Sequence, residues 1–380
     1  MSRETKKVLM DFADSIPREW ECSRLKYHCK ITNGSDPETE GNIPVYGSGS
    51  EIVKYCGEFK NGPAILIGRK GTLDKPKLVE GKYWNVDTAM DLHPYAHMSP
   101  KYLYYVISCF TIDKYSTCTA KPSMTQGDYY NILIPVPSSL EQKNIATFLD
   151  SKCEAIDQAI QKQKDIVNKL MEYKQSTITQ AVTKGLNPNV EMKEVSMDFT
   201  NSIPQNWECS RLKYHCKITN GSDPETEGNI PVYGSGSEIV KYCGEFKNGP
   251  AILIGRKGTL DKPKLVEGKY WNVDTAMDLH PYSHMNPKYL YYVISCFTID
   301  KYSTCTAKPS MTQGDYYNIL VPVPSVLEQN EIVEYIDSKC DSIDESIERS
   351  NKIIQKLEEY KKALIYNAVT GKIDCRGEVK

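Results

Sequence analysis

The chain has 380 residues, 40% of them hydrophobic, and 47 lysines and arginines against 49 acidic residues, a net charge of −2. That length allows more than one hydrophobic core, and near-neutrality excludes a global basic field, so any nucleic-acid binding must come from local patches. No apolar run nears the length of a membrane span, about 18 residues, and MSRETKKVLMDF lacks the apolar region of a signal peptide. The thirteen cysteines form no CxxC pair, so reduced thiols in a cytoplasmic protein are the expectation.

In chain order, residues 1–13 read as a short helix or arm with Val8, Leu9 and Phe12 on one side. Ser15-Ile16-Pro17 breaks it before Trp20, and residues 1–19 are taken as an N-terminal arm. Residues 20–137 are turn-rich, punctuated by Asn33-Gly34, Gly47-Ser48-Gly49, Asn61-Gly62 and Gly68-Arg69-Lys70-Gly71. Glu51–Tyr55 and Ala64–Ile67 read as strands. Pro100–Phe110 reads as a helix, with Leu103, Ile107 and Phe110 on one face. The domain is mixed and irregular, with both helices and strands.

After Pro137 the character changes. From Ser138 to Val182 there is no proline or glycine. Ile145, Leu149, Cys153, Ile156, Ile160, Val167, Leu170, Ile178 and Val182 recur at helical spacing. Residues 138–186 are expected to form one amphipathic helix of roughly 65 Å, stopped by Gly185 and Pro188.

The same words then return. Trp20–Leu133 and Trp207–Leu320 differ at two positions, Ala96/Ser283 and Ser99/Asn286. A linker or arm at 187–206 leads to a second domain at 207–324, a second helix at 325–371 and a tail at 372–380. Two long helices with matching apolar seams are expected to pair antiparallel. The competing reading folds each helix back on its own domain. The fold class expected is α+β: two near-identical mixed domains separated by two long antiparallel helices with a pseudo-two-fold.

The chain resembles the specificity subunits of type I restriction–modification systems over essentially its whole length. The resemblance rests on Ile16-Pro17, Trp20 and Arg24-Leu25; on Ile43-Pro44-Val45-Tyr46-Gly47-Ser48-Gly49 with Ile65-Leu66-Ile67-Gly68-Arg69-Lys70-Gly71; and on Ile134-Pro135-Val136-Pro137, Leu140-Glu141-Gln142, Ile156-Asp157, Glu172-Tyr173-Lys174 and Ala181-Val182-Thr183. It implies two target recognition domains, each reading half of a bipartite double-stranded DNA site. It also implies helices that measure the spacer and dock two methyltransferase subunits. S-adenosylmethionine would belong to those partners, and ATP and Mg to restriction subunits if present. Members of the family generally carry two different recognition domains. Near-identical ones imply a half-site and its inverted copy.

Catalytic motifs were sought and not found. There is no Asn/Asp-Pro-Pro-aromatic loop, no glycine-rich cofactor loop and no GxxxxGK[ST], so no cofactor is expected on this chain. Asp74-Lys75-Pro76-Lys77 with Glu80-Gly81-Lys82 reads as a charged turn rather than a nuclease set. His93 and His97 with Cys22 or Cys29 match no zinc spacing, and no metal site is expected. The chain reads as non-catalytic.

DNA contacts need groove-edge donors and acceptors, and cations or free amides for phosphates. The residues singled out are Tyr46, Ser48, Ser50, Arg69, Lys70, Thr72, Lys121, Ser123, Thr125 and Gln126. Their second-copy equivalents are Tyr233, Ser235, Ser237, Arg256, Lys257, Thr259, Lys308, Ser310, Thr312 and Gln313. Arg69 suits guanine, Gln126 adenine, and Lys121 guanine or phosphate. Pro122 and Gly127 are expected to keep Thr119–Asp128 irregular. An ordinary hairpin turn remains open for Gly47–Gly49, a solvated turn for Arg69-Lys70, and a core role for the tyrosines. Trp20–Pro135 holds 13 basic against 12 acidic residues, so the chain alone is expected to bind DNA weakly. On the helices, Phe148, Ile166 and Tyr173, with Tyr335, Ile353 and Tyr360, could dock methyltransferase subunits or widen the seam. A reading of a different class makes the protein a structural or inhibitory partner of methyltransferase subunits. A third places an unrecognised enzymatic site near His93.

Overall fold

The computed structural model describes residues 3–49, 51–110, 123–236, 238–297 and 310–376. It divides into two compact units, Met1–Lys164 with Lys352–Lys380, and Asp165–Asn351. The units are therefore not the two sequence repeats. Each takes in part of both long helices, which the repeat-by-repeat division of the sequence does not anticipate.

In the first unit, β1 (Thr5–Lys7) pairs antiparallel with β2 (Ser15–Pro17). Of the short helix or arm expected in residues 1–13, the structure has an arm, formed by this hairpin, and not the helix. A helix that short needs a packed face to persist, and Leu9 is 94% exposed beside a buried Met10. β3 (Glu21–Arg24) pairs with β12 (Leu133–Val136), which brings the two ends of the mixed domain together.

Between them lie two four-stranded sheets. The first is ordered β4 (Cys29–Asn33), β11 (Ala89–Pro94), β8 (Ala64–Gly68), β9 (Lys77–Val79), all antiparallel. The second is ordered β6 (Ile52–Cys56), β5 (Ile43–Tyr46), β10 (Lys82–Asn85), β7 (Lys60–Asn61), with β5 and β10 parallel. β8 is buried along its whole length. Its alternation sends Ile65 and Ile67 into the main core and Ala64 and Leu66 into a smaller core with Tyr46, Val79 and Tyr83. α1 (Pro100–Ser108), capped by Ser99, and α2 (Gln126–Asn131) contribute Tyr102, Leu103 and Tyr129 to the main core.

α3 (Ser139–Lys184) runs unbroken for 46 residues, within the expected bounds. Ile145, Leu149, Cys153, Ile156 and Ile160 lie in the first unit's core together with Leu364, Ile365, Ala368 and Val369 from the end of the second long helix. Two contacts give the direction. The Lys361 ammonium reaches Asp157 at 2.6 Å. Farther along, Gly371 sits against Pro17 and Trp20, and the Trp20 indole donates to Glu141 at the start of α3 at 2.9 Å. Later residues of one helix meet earlier residues of the other, so the pair is antiparallel. Phe148 is 8% exposed and belongs to this core, so it is not the free docking residue entertained from sequence.

The second unit repeats the pattern. Its sheets are ordered in the same way, and α4 (Pro287–Ser295) and α5 (Gln313–Asn318) stand where α1 and α2 do. α6 (Val326–Val369) has 44 residues. In this unit Ile178, Ala181 and Val182 of α3 pack with Ile332, Val333 and Ile336 of α6. Lys174 pairs with Asp344 at 2.6 Å, and Gly185 lies beside Glu328, so the helices are antiparallel here as well. In place of the N-terminal hairpin, Met192–Glu194 pairs with Ser202–Pro204 within the linker. Among the described residues no helix is long and apolar enough to cross a membrane.

Candidate nucleic-acid interface

Three stretches that are far apart in sequence meet at one end of each recognition domain. β8 leaves its sheet at Gly68 and turns through Arg69, Lys70 and Gly71. Gly68 must be glycine, because a Cβ there would overlap the carbonyl of Thr72. Gly71 has φ +89°, in the left-handed region. The turn is hung on its neighbours by its backbone. The amides of Arg69 and Lys70 both donate to the Thr88 carbonyl, at 2.8 and 3.3 Å. The Arg69 carbonyl accepts from the Met124 amide at 3.0 Å, and Lys70 bridges to Ser123. From beneath, the Tyr129 hydroxyl donates to the Gly68 carbonyl at 2.9 Å. The hairpin turn after β5 closes the group, since a Cβ on Gly71 would meet Ser48 Oγ at 3.6 Å.

The side chains divide into free and committed. Lys70 is exposed and lies 3.8 Å from the Asp87 carboxylate. Arg69 is half-buried, and its guanidinium donates to the Asp87 carbonyl at 3.3 Å. Ser123 is exposed; Ser48 and Thr72 are half-buried. The second unit repeats these placements. Arg256 donates to the Asp274 carbonyl at 3.4 Å, Lys257 bridges to Ser310, Ser235 lies 3.5 Å from a Cβ built on Gly258, and Thr259 is half-buried.

Several expected contacts are committed elsewhere. Tyr46 and Tyr233 are each 9% exposed. Their rings belong to the small cores, with Lys77 and Lys264 across their faces at 4.6 and 4.7 Å. Neither ring is open to stack on a base. Thr125 and Thr312 are helix caps. Thr125 Oγ1 donates to Asp128 at 2.7 Å and accepts from the Asp128 amide at 3.2 Å, a capping box that starts α2. The segment is therefore helical from Gln126, where an irregular loop was expected. Gln126 and Gln313 donate to the carbonyls of Ile31 and Ile218 at 3.3 Å, so they tie α2 and α5 to a strand rather than standing free for adenine. Ser50, Lys121, Ser237 and Lys308 lie outside the described residues.

Sequence reasoning missed the supporting roles of Asp87, Thr88, Met124 and Tyr129. The signal for the last two was present, because Thr125-x-x-Asp128 is a helix-start pattern that fixes the register of α2 and hence the inward face of Tyr129. Burial pushes the Tyr129 phenol well above its ordinary range and keeps it a donor.

A polar network lies behind the site, between the two sheets. Asp91 is fully buried on β11. It accepts from Tyr83 at 2.7 Å and from Lys60 at 3.1 Å, and pairs with Thr32 and with His93 Nε2. Burial opposes the charged form of Asp91, but bonds from His93, Thr32 and Tyr83 and the charge of Lys60 outweigh it. The carboxyl is held well below its usual range. His97, the other histidine weighed for a metal, is 2.9 Å from His28 Nδ1 instead. The two histidines thus serve different partners. Buried Cys29 and Cys216 are free thiols, which burial pushes up to about 12.

The sequence and the fold match known proteins. Residues 17–179 and 204–359 match the family described as type I restriction modification DNA specificity domain. The type I restriction enzyme MjaVIII specificity subunit of Methanocaldococcus jannaschii is 24% identical over 94% of both chains. The EcoDI specificity subunit of Escherichia coli is 19% identical over 96% of this chain and 91% of its own. A solved structure described as the structural basis of complex assembly and conformational transition of the type I R-M system has a TM-score of 0.72. It is 17% identical and covers 94% of this chain and 99% of that one. With most of both repeats inside the match, the chain belongs to the type I restriction modification DNA specificity family and is a specificity subunit carrying two such domains.

Proposed function

We propose that each unit reads one half of a bipartite double-stranded DNA site through the Gly68–Thr72 turn, the Ser48 turn and Ser123, with their second-unit equivalents. The convergence of these stretches around one exposed and one half-buried cation carries the reading. A flexible lysine suits a phosphate, and a guanidinium suits the O6 and N7 edge of guanine. Thr88 and Tyr129 hold the turn rigidly, which base discrimination requires.

The two half-sites carry the same bases, because the described reading residues are the same in both units. They are inverted copies, in keeping with the antiparallel run of α3 and α6 in each unit. The helices set the spacer and dock two methyltransferase subunits, with Ile166, Tyr173, Tyr335, Ile353 and Tyr360 offering exposed apolar surface. S-adenosylmethionine is carried by those partners, and ATP and Mg by restriction subunits if the assembly includes them.

The test is to co-express the chain with the methyltransferase encoded beside it and map modified adenines in the host DNA. One motif with inverted halves supports the proposal. An asymmetric motif sinks the equivalence of the units. No modification, despite a stable complex, sinks DNA reading.

A further inference from the structure

The β5–β6 hairpin carries a feature that the polar reading residues do not use. In the pairing of the two strands Val45 faces Lys54 and Tyr46 faces Ile52, with a register shift between them. Val53 is the residue left over, a β-bulge. Bulges re-aim side chains and are common beside functional sites. Val53 is 58% exposed, and Ile52 and Tyr55 of the same strand are exposed as well. An exposed apolar edge strand is a pairing hazard that proteins normally blunt, and here Lys54 is the charged residue within that run.

Val53 is also aimed. Its Cγ1 lies 3.4 Å from a Cβ built on Gly47, and the same Cβ would meet Thr88 Oγ1 at 3.7 Å, so Val53 and Thr88 share one face of Gly47. Thr88 is the residue whose carbonyl holds the Arg69 and Lys70 amides. An exposed valine therefore stands beside the residue from which the cationic turn hangs. Val240 repeats the arrangement, 57% exposed and 3.4 Å from a Cβ built on Gly234, with Thr275 at 3.8 Å. A phosphate offers nothing to a valine. Among base-pair edges, one apolar group faces the major groove, the 5-methyl of thymine, and the minor groove has none.

We propose that Val53 and Val240 are specificity-determining residues that contact a thymine 5-methyl beside the base bound by Arg69 or Arg256. This rests on the DNA-reading proposal above. The probe is duplex DNA carrying the mapped site, with each thymine replaced in turn by deoxyuridine, which lacks only the methyl. Binding is measured with the complex of this chain and its methyltransferase subunits. One replacement per half-site is expected to weaken the wild-type complex roughly fourfold, the worth of one buried methyl group. The Val53→Ser, Val240→Ser protein should bind the thymine site more weakly by a similar factor per half-site and be indifferent to the replacement. Val53→Thr with Val240→Thr keeps one methyl and should retain part of the sensitivity.

A wild-type complex that binds its site but ignores every deoxyuridine overturns the assignment and leaves DNA reading intact. So do half-sites without thymine, or a serine variant that keeps the full sensitivity. Loss of the methyltransferase from the serine variant, with unchanged thymine dependence, makes Val53 a protein contact and likewise overturns it. A wild-type complex with no site preference at all sinks both proposals.

Discussion

The Tyr129 hydroxyl donates to the Gly68 carbonyl at 2.9 Å, and both groups lie beneath the turn that presents Arg69 and Lys70. Tyr129 is 2% exposed, so no water replaces the bond if it is lost. Tyr129→Phe with Tyr316→Phe removes the donor and keeps the ring. Each loss should cost about 0.5–1.5 kcal/mol of stability. The larger effect should fall on selection, because the turn loses its floor. The expected outcome is a lower ratio of specific to nonspecific DNA binding with the methyltransferase complex still assembled, read by titrating cognate and scrambled duplexes.

The two glycines of the turn should differ in their tolerance. At Gly68 a Cβ overlaps the Thr72 carbonyl, so Gly68→Ala must open the turn. At Gly71 the nearest atom is Ser48 Oγ at 3.6 Å, and the cost is that of a left-handed alanine, about 1–2 kcal/mol. Gly68→Ala with Gly255→Ala should therefore abolish site-selective methylation. Gly71→Ala with Gly258→Ala should reduce it. Equal loss in both would show that crowding by Thr72 is not what the first glycine relieves.

Much of this was legible in the sequence, for identifiable reasons. α3 declared itself because a glycine- and proline-free run with helical spacing has one low-energy solution, and its bounds matched to within two residues. The Gly68–Gly71 turn was legible because glycines at that spacing mark backbone crowding. The helical alternative for the arm fails because Val8, Leu9 and Phe12 fit a helical face only if all three are buried, and Leu9 is not. Thr125 and Gln126 look like free polar groups in the sequence because composition does not show what a side chain is bonded to. Identical sequence does not guarantee an identical setting either. Trp20 donates to Glu141, which Arg3 of the arm also engages. The buried Trp207 indole nitrogen has no partner among the described residues, and Val190 stands where Arg3 does in the first repeat.

Arg69 and Lys70 are neighbours with different expected signatures. The Lys70–Asp87 pair is about half exposed and 3.8 Å long, so it is worth little and can open toward a phosphate. Lys70→Ala should weaken binding to all duplexes evenly and lower the salt slope by about 1. Arg69→Ala should cost about 1–3 kcal/mol on the cognate half-site and relax the base preference there. Affinity measured against salt on cognate and single-base-changed duplexes separates the two. A Lys70 variant that alters base preference would reverse these assignments.

Asp91 predicts how the recognition domains respond to acid. Its folded pKa is depressed, so its contribution is complete above the unfolded carboxylate value, about 3.9. The contribution declines as pH falls below that value toward the folded one. Asp278 in the second unit behaves in the same way. Asp91→Asn with Asp278→Asn keeps an acceptor for Tyr83 and Tyr270 but removes the charge that Lys60 and Lys247 face at 3.1 and 3.0 Å. The variant should be less stable near pH 7 by about 3 kcal/mol per domain. That is the low end for breaking a buried pair, because each lysine is 22% exposed. The gap to wild type should narrow between pH about 4 and 2, where these carboxylates take up protons in the unfolded chain but stay ionised in the folded one. Urea midpoints measured across that range check this. A gap that stays constant down to pH 2 would mean that the network acts through shape rather than charge.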